Sequence, residues 1–348
     1  MNVRRLIPTA ALAGSAALGL VALSACSPSD AADGGGGAGG KGDGRLAVIA
    51  SFYPMQYLAE EIGGTHVDVS TLTKPGVEPH DLELGTRQAA QLGEADYILY
   101  LKGLQPAVDE AVTAAGVKNT VDAATLTTLE KHGSEVGHSH GDEHAGEEHG
   151  GGEHGEDEHA EEEHAGEEHA HEGEAGTDPH IWLDPVKYAE VAKGVGASLE
   201  KADPDNAEAY RKNTTALVER LTTLDTAFEK GLADTSTKTF ITTHSAFGYL
   251  AERYGLKQES ISGLSPESEP SPARIKELRS IATQDKVGTV FFETLVSDRT
   301  AKTVAADSGL KTDVLDPLEG ITKKSKGADY VEVMESNLAA LEKALGAK

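Results

Sequence analysis

Fourteen histidines in a chain of 348 residues are the side chains with the clearest chemistry, because neutral imidazole is a favoured ligand of zinc, nickel and copper. They fall into two populations. Ten lie between His132 and His171, and six of these (His144, His149, His154, His159, His164 and His169) recur at a five-residue step among Glu, Ala and Gly. That period matches neither helix nor strand, so the stretch has no face to bury. Together with His138, His140 and His171 it predicts a weak, multivalent, metal-collecting loop, with flanking carboxylates raising the local cation concentration. Four histidines stand apart. His66 precedes an apolar run and reads as a turn or surface residue. His80 lies in Gly76-Val77-Glu78-Pro79-His80-Asp81, His180 in Asp178-Pro179-His180-Ile181-Trp182-Leu183-Asp184-Pro185, and His244 in Thr242-Thr243-His244-Ser245-Ala246-Phe247-Gly248-Tyr249. Prolines stiffen the first two turns, and the third follows a strand-like run. Ligand crevices of open α/β sheets form outside the carboxyl ends of strands, so these three predict one preorganised metal centre.

The elements that must position them are legible as apolar, β-branched runs at 46–50, 67–72, 97–101, 239–243 and 287–292, with weaker ones near 118–121 and 311–315. Helical patterns lie between them. Such alternation indicates parallel sheets covered on both faces. The fold class expected is therefore α/β, with two (β/α) lobes and a metal cleft between them. Residues 205–232 carry Tyr210, Leu217, Leu221, Leu224 and Phe228 at steps of three and four, with Thr214 on the same stripe. This predicts a single long helix joining the lobes, with Asp203-Pro204 as its cap and first turn. Such a connection hinges poorly.

The chain has 58 acids against 31 bases, a net charge of −27. Residues 132–178 hold 17 of the acids and no Lys or Arg, leaving 41 acids against 31 bases elsewhere. No basic patch exists to hold phosphates, which argues against a nucleic-acid partner. A single cysteine, Cys26, excludes an internal disulfide or a multi-cysteine zinc site. Arg4 and Arg5 precede an apolar run at 6–23 that ends in Leu23-Ser24-Ala25-Cys26, a signal-segment pattern that resembles the bacterial lipobox. The expected layout is a signal peptide at 1–25, a lipidated Cys26 opening a flexible Gly-rich tether at 26–44, and an N-terminal lobe at 45–204 with a disordered insert at 132–178. The linking helix at 205–232 and a C-terminal lobe at 233–348 complete it.

Ser51-Phe52-Tyr53-Pro54-Met55, the three histidine segments and Leu315-Asp316-Pro317-Leu318-Glu319-Gly320 resemble, in order, the zinc and manganese solute-binding proteins of ABC transporters. The zinc-uptake (ZnuA/AdcA-like) members are the most similar. The resemblance spans 45–348 and implies His80, His180 and His244 as three metal ligands. Imidazole at the third position favours Zn²⁺ over Mn²⁺, in line with the preference of Mn²⁺ for oxygen. It implies Glu319 as the fourth ligand, with Asp316 the alternative. Glu78 is a candidate either as an alternative ligand or as a support, and Asp81, Asp184 and Glu293 are candidates for supporting these ligands. The implied function is a monomeric, lipid-anchored receptor on the extracytoplasmic face of the cell membrane, which delivers Zn²⁺ to an ABC permease and its ATPase and performs no catalysis. Two alternatives are a surface metal buffer or adhesin without a permease, and a zinc-dependent hydrolase. The hydrolase needs an open coordination position, and the sequence carries no HExxH.

Overall fold

Two four-stranded parallel sheets, each in the order 2-1-3-4 of its own strands, organise the chain. The computed structural model describes residues 44–132 and 177–348. The signal segment, Cys26, the tether up to residue 43 and the histidines from His138 to His171 lie outside the described residues. The first sheet is built by β1 (Leu46–Ala50), α1 (Tyr53–Gly63), β2 (Val67–Thr71), α2 (Thr86–Glu94), β3 (Tyr97–Tyr100), α3 (Pro106–Ala115) and β4 (Thr120–Asp122). Next come α4 (Pro185–Ala202) and α5 (Ala207–Leu232). The second sheet follows with β5 (Thr239–Thr242), α6 (Gly248–Arg253), β6 (Lys257–Ser260), α7 (Pro272–Gln284), β7 (Thr289–Phe292), α8 (Arg299–Ser308), β8 (Lys311–Val314) and α9 (Tyr330–Leu345).

The alternation of side chains along the central strands explains the layers. In β1, Val48 and Ala50 enter a core with Met55, Trp182 and Leu217. Ile49 enters another on the opposite face with Leu92, Ile98 and Val108. In β5, Phe240 joins the first core and Ile241 a third one with Leu278 and Val290. The α/β two-lobe architecture expected from the sequence is the one observed.

Helix α5 runs 26 residues, about 39 Å, and buries Tyr210, Leu217, Leu221, Leu224, Phe228 and Leu232 against α4, α1 and α9. Its start differs from expectation. Pro204–Asn206 form a separate 3-10 turn, and Asp203 accepts from the Tyr210 hydroxyl (2.6 Å) and from Asn206 Nδ2 (2.8 Å) instead of from backbone amides. With that carboxylate engaged, the helix begins at Ala207. Strand β6, with the polar sequence Lys-Gln-Glu-Ser, was not anticipated; it lies at a sheet edge.

Buried hydrogen bonds tie the two halves. Trp182 Nε1 donates to the Pro317 carbonyl (2.7 Å), and the Tyr330 hydroxyl donates to the Trp182 carbonyl (2.5 Å). Arg253 on α6 makes a two-pronged ion pair with Asp184, whose Oδ2 receives Nη2 at 2.7 Å. Asp184 also caps α4 by accepting from Val186 N (2.8 Å). Among the described residues no helix is long and apolar enough to cross a membrane.

Candidate metal centre

Each of the four principal candidates leaves its element just beyond a strand's carboxyl end or in a proline-fixed turn. His80 sits in the loop after β2. His180 precedes a 3-10 turn, Ile181–Leu183, that leads into α4. His244 follows β5 by two residues, and Glu319 lies in the loop after β8. Their metal-binding atoms all fall within 4.8 Å of one another.

Glu319 Oε1 is the focus. It lies 3.1 Å from His80 Nε2, 3.2 Å from His180 Nε2 and 3.3 Å from His244 Nε2. A tetrahedral ion with bonds of about 2.0–2.1 Å holds its ligand atoms about 3.3–3.4 Å apart, so these separations already match the polyhedron. Nε2 of His180 and of His244 are buried without a hydrogen-bond partner, as is Glu319 Oε2. His80 Nε2 is hydrogen-bonded to Glu319 Oε1, whereas the His180 and His244 rings approach that carboxylate closely without bonding to it, which is the geometry of donors converging on a shared point.

The rings are set from behind. His180 Nδ1 is 2.6 Å from Asp178 Oδ1, and that same oxygen accepts from the His180 backbone N–H (2.9 Å). His244 Nδ1 is 2.6 Å from Glu293 Oε1, which also accepts from the Thr243 hydroxyl. A carboxylate at Nδ1 makes that nitrogen the donor and leaves Nε2 for a metal. Glu293 thus takes the supporting position suggested by its place after β7. Asp178 stands in the His180 segment but was counted with the acidic insert, and so was missed as a support. The same holds for His132, which packs on Tyr249 with ring centroids 4.4 Å apart. Both ends of the stretch 132–178 therefore belong to the fold.

The remaining candidates sort by contact. Glu78 Oε1 accepts from the His80 backbone N–H (3.1 Å), and burial together with the Glu319 charge pushes its carboxyl up to about 9. Asp184 serves α4 and Arg253, not a ligand ring. Asp316 is turned away from the metal position: Oδ2 accepts from the Thr294 hydroxyl (3.1 Å) and Oδ1 from Leu318 N (2.9 Å). Asn337 clamps the same turn, accepting from Asp316 N at 2.9 Å and donating to Asp316 O at 2.7 Å. These bonds hold Leu318, fully buried, at φ +58°, a left-handed conformation that costs a branched residue roughly 1–2 kcal/mol. The turn so fixed presents Glu319. His66 stays apart from the cluster, edge-on to Tyr210.

Electrostatics follow from burial. Desolvation alone would raise the Glu319 carboxyl, but the charge of His244 and the close approach of His180 and His80 hold it well below its ordinary value. Burial would lower His244, yet Glu293 and Glu319 keep it well above the usual imidazole range, and Asp178 and Glu319 raise His180 above its ordinary value against the same burial. A metal-free centre of this kind stores protons that a cation must displace.

Known proteins share this architecture. The chain is 35% identical over 309 residues to a zinc-binding lipoprotein, AdcA, of Streptococcus pneumoniae, matching 87% of this chain but only 56% of that longer protein. It is 36% identical to the high-affinity zinc uptake system protein ZnuA of Bacillus subtilis, covering 88% of this chain and 89% of that one. The Zn(II)-bound ZnuA-like domain of the pneumococcal AdcA superimposes with a TM-score of 0.66 at 32% identity, over 87% of this chain and 99% of the domain. The laminin-binding protein Lmb of Streptococcus agalactiae superimposes with a TM-score of 0.69 at 28% identity, covering 86% of this chain and 99% of that one. Residues 48–344 match the family model for the zinc-uptake complex component A, periplasmic, and the chain therefore belongs to the ZnuA family.

Proposed function

We propose that this chain is a zinc receptor that captures Zn²⁺ outside the cytoplasmic membrane, with His80, His180, His244 and Glu319 as its ligands, and passes it to an ABC permease driven by an ATPase. The observation that carries the reading is the convergence of three imidazole Nε2 atoms on one carboxylate oxygen at 3.1–3.3 Å. Three imidazoles and a carboxylate suit Zn²⁺, whereas Mn²⁺ is better served by more oxygen. The ion is cargo: four protein ligands fill its tetrahedron and leave no position for an activated water, so the centre binds without catalysing. The zinc-uptake names of the relatives support the same reading.

Cys26 is the lipid anchor, holding the receptor on the extracytoplasmic face of the membrane through the Gly-rich tether. The histidines from His138 to His171 collect ions near the site, since the stretch that bears them ends just before His180. The test is zinc competition against a strong chelator in the full chain, at chelator concentrations that empty weak sites. The parent retains one equivalent per chain, and His244→Ala loses it. Retention of that equivalent by His244→Ala defeats the assignment.

A further inference from the structure

His132 is a third imidazole held in the manner of the two buried cleft ligands. Its Nδ1 lies 3.1 Å from Asp178 Oδ2. Its Nε2 faces Glu252 Oε2 at 2.7 Å and Glu130 Oε2 at 3.9 Å. In His180 and His244, likewise, one carboxylate sits behind Nδ1 and another lies before Nε2. With Nδ1–H given to Asp178, the Nε2 lone pair of His132 meets carboxylate oxygens, a contact that is favourable only with a proton or a metal cation between them. The three donor atoms lie within 4.8 Å of one another. The two carboxylate oxygens lie 2.7 and 3.9 Å from Nε2, on either side of the roughly 3.3 Å spacing that a tetrahedral zinc-sized ion imposes. Glu252 is on the outer face, its side chain 61% exposed, and is free to make the small rotation required.

A purely ionic network is the competing account, since Lys187 Nζ pairs with Glu130 Oε1 at 2.6 Å. That pair engages one oxygen of Glu130 and leaves Oε2 on the side of the ring. It neutralises one of two carboxylates converging on Nε2, and the other is matched by whichever cation occupies the ring nitrogen, a proton or a divalent ion that displaces it. The cluster opens into a groove of about 560 Å³ also lined by Ser245, Gln258 and Ser260, so a hydrated ion has access. His132 immediately precedes the histidine-bearing stretch in the sequence.

We propose that Glu130, His132 and Glu252 form a second divalent-cation site of zinc-type preference, coupled to the cleft through Asp178, which supports His132 with one oxygen and His180 with the other. One imidazole, two carboxylates and water make this site the weaker of the two, suited to exchange with the solvent.

The test uses the full chain with the nine histidines from His138 to His171 replaced by glutamine, dialysed to equilibrium against buffered zinc and assayed for bound metal. Two equivalents are expected, the second at least tenfold weaker than the first. Glu252→Gln and His132→Gln should each reduce the count to one, and Glu252→Gln, being on the surface, leaves folding intact. The remaining equivalent should vanish with His244→Ala, which separates failure of the cleft assignment from failure of this one. A single equivalent in the starting chain, or two that survive both Glu252→Gln and His132→Gln, overturns the second site in favour of the ionic network.

Discussion

Replacing Glu319 by glutamine keeps the shape of the side chain and removes the charge at the point where three rings meet. Its own turn has nothing to compensate, because Glu319 is 1% exposed and the nearest other carboxylate on that turn, Asp316, is committed to Thr294 and Leu318. Structural four-ligand zinc sites bind with about 10–16 kcal/mol, which divides into about 2.5–4 kcal/mol for each ligand. A glutamine carbonyl retains part of that as a neutral oxygen donor. The expected loss is therefore about 2–3 kcal/mol, or about two decades of affinity. Competition with a chromophoric chelator at pH 7.5 reads the tightest equivalent directly, and the near-ultraviolet signal of buried Trp182 verifies that the zinc-free variant is folded. Binding within threefold of the parent would show that Glu319 is a neighbour of the ion and not its ligand.

Asp178→Asn and Glu293→Gln, which act through His180 and His244, should each weaken the tight zinc equivalent by about 10–100-fold in the same competition, with less effect from Asp81→Asn, whose side chain is exposed. The zinc-free chain should lose stability as pH rises. His180 and His244 are raised above their ordinary 6.5 by neighbouring carboxylates, so their contribution is full below about pH 6.5 and fades as pH climbs through the folded-state values. Glu319, held below its ordinary 4.5, contributes above that value and loses its contribution only as pH falls through its depressed one. Urea midpoints of the metal-free protein at pH 6 and pH 9 test this, and an equal or higher midpoint at pH 9 contradicts it. Zinc should reverse the trend, because deprotonated rings bind it better and binding stabilises the native state by mass action. Trp182→Phe leaves the Pro317 carbonyl buried without its donor and should cost about 1–3 kcal/mol, measured by urea unfolding.

The strands that β-branched apolar runs announce, such as Leu46–Ala50 and Thr239–Thr242, were legible because both faces of a parallel sheet are buried and leave a continuous hydrophobic signature. Lys257–Ser260 escaped because an edge strand needs less of that signature, and its polar side chains bond across the fold: Gln258 to Thr242 and Glu259 to Arg274. The candidate ligand histidines stood out through proline-fixed turns and strand ends. Asp178 and His132 did not, because composition assigned them to the acidic stretch they border, and only the packing of Tyr249 and Glu252 against them shows where that stretch ends. The commitment of Asp316 was also invisible, since its carboxylate accepts from the Thr294 hydroxyl, 22 residues away, and its backbone is clamped by Asn337, 21 residues away.

The four proposed ligands are unequally restrained, and this would give a bound ion a direction of departure. His180, His244 and Glu319 are fully enclosed, and the turns that bear His180 and Glu319 are joined through the Trp182–Pro317 bond. They form a floor that cannot open without breaking buried polar contacts. His80 is the partly exposed member, 12% accessible, carried on a loop and, among the described residues, without a carboxylate at Nδ1. Dissociation should begin with that ring swinging away and water taking its place, so that residence time is set by one loop while equilibrium affinity is set by the floor. A permease that grips the His80 loop could then shorten the lifetime of the loaded state by orders of magnitude without the two lobes having to part.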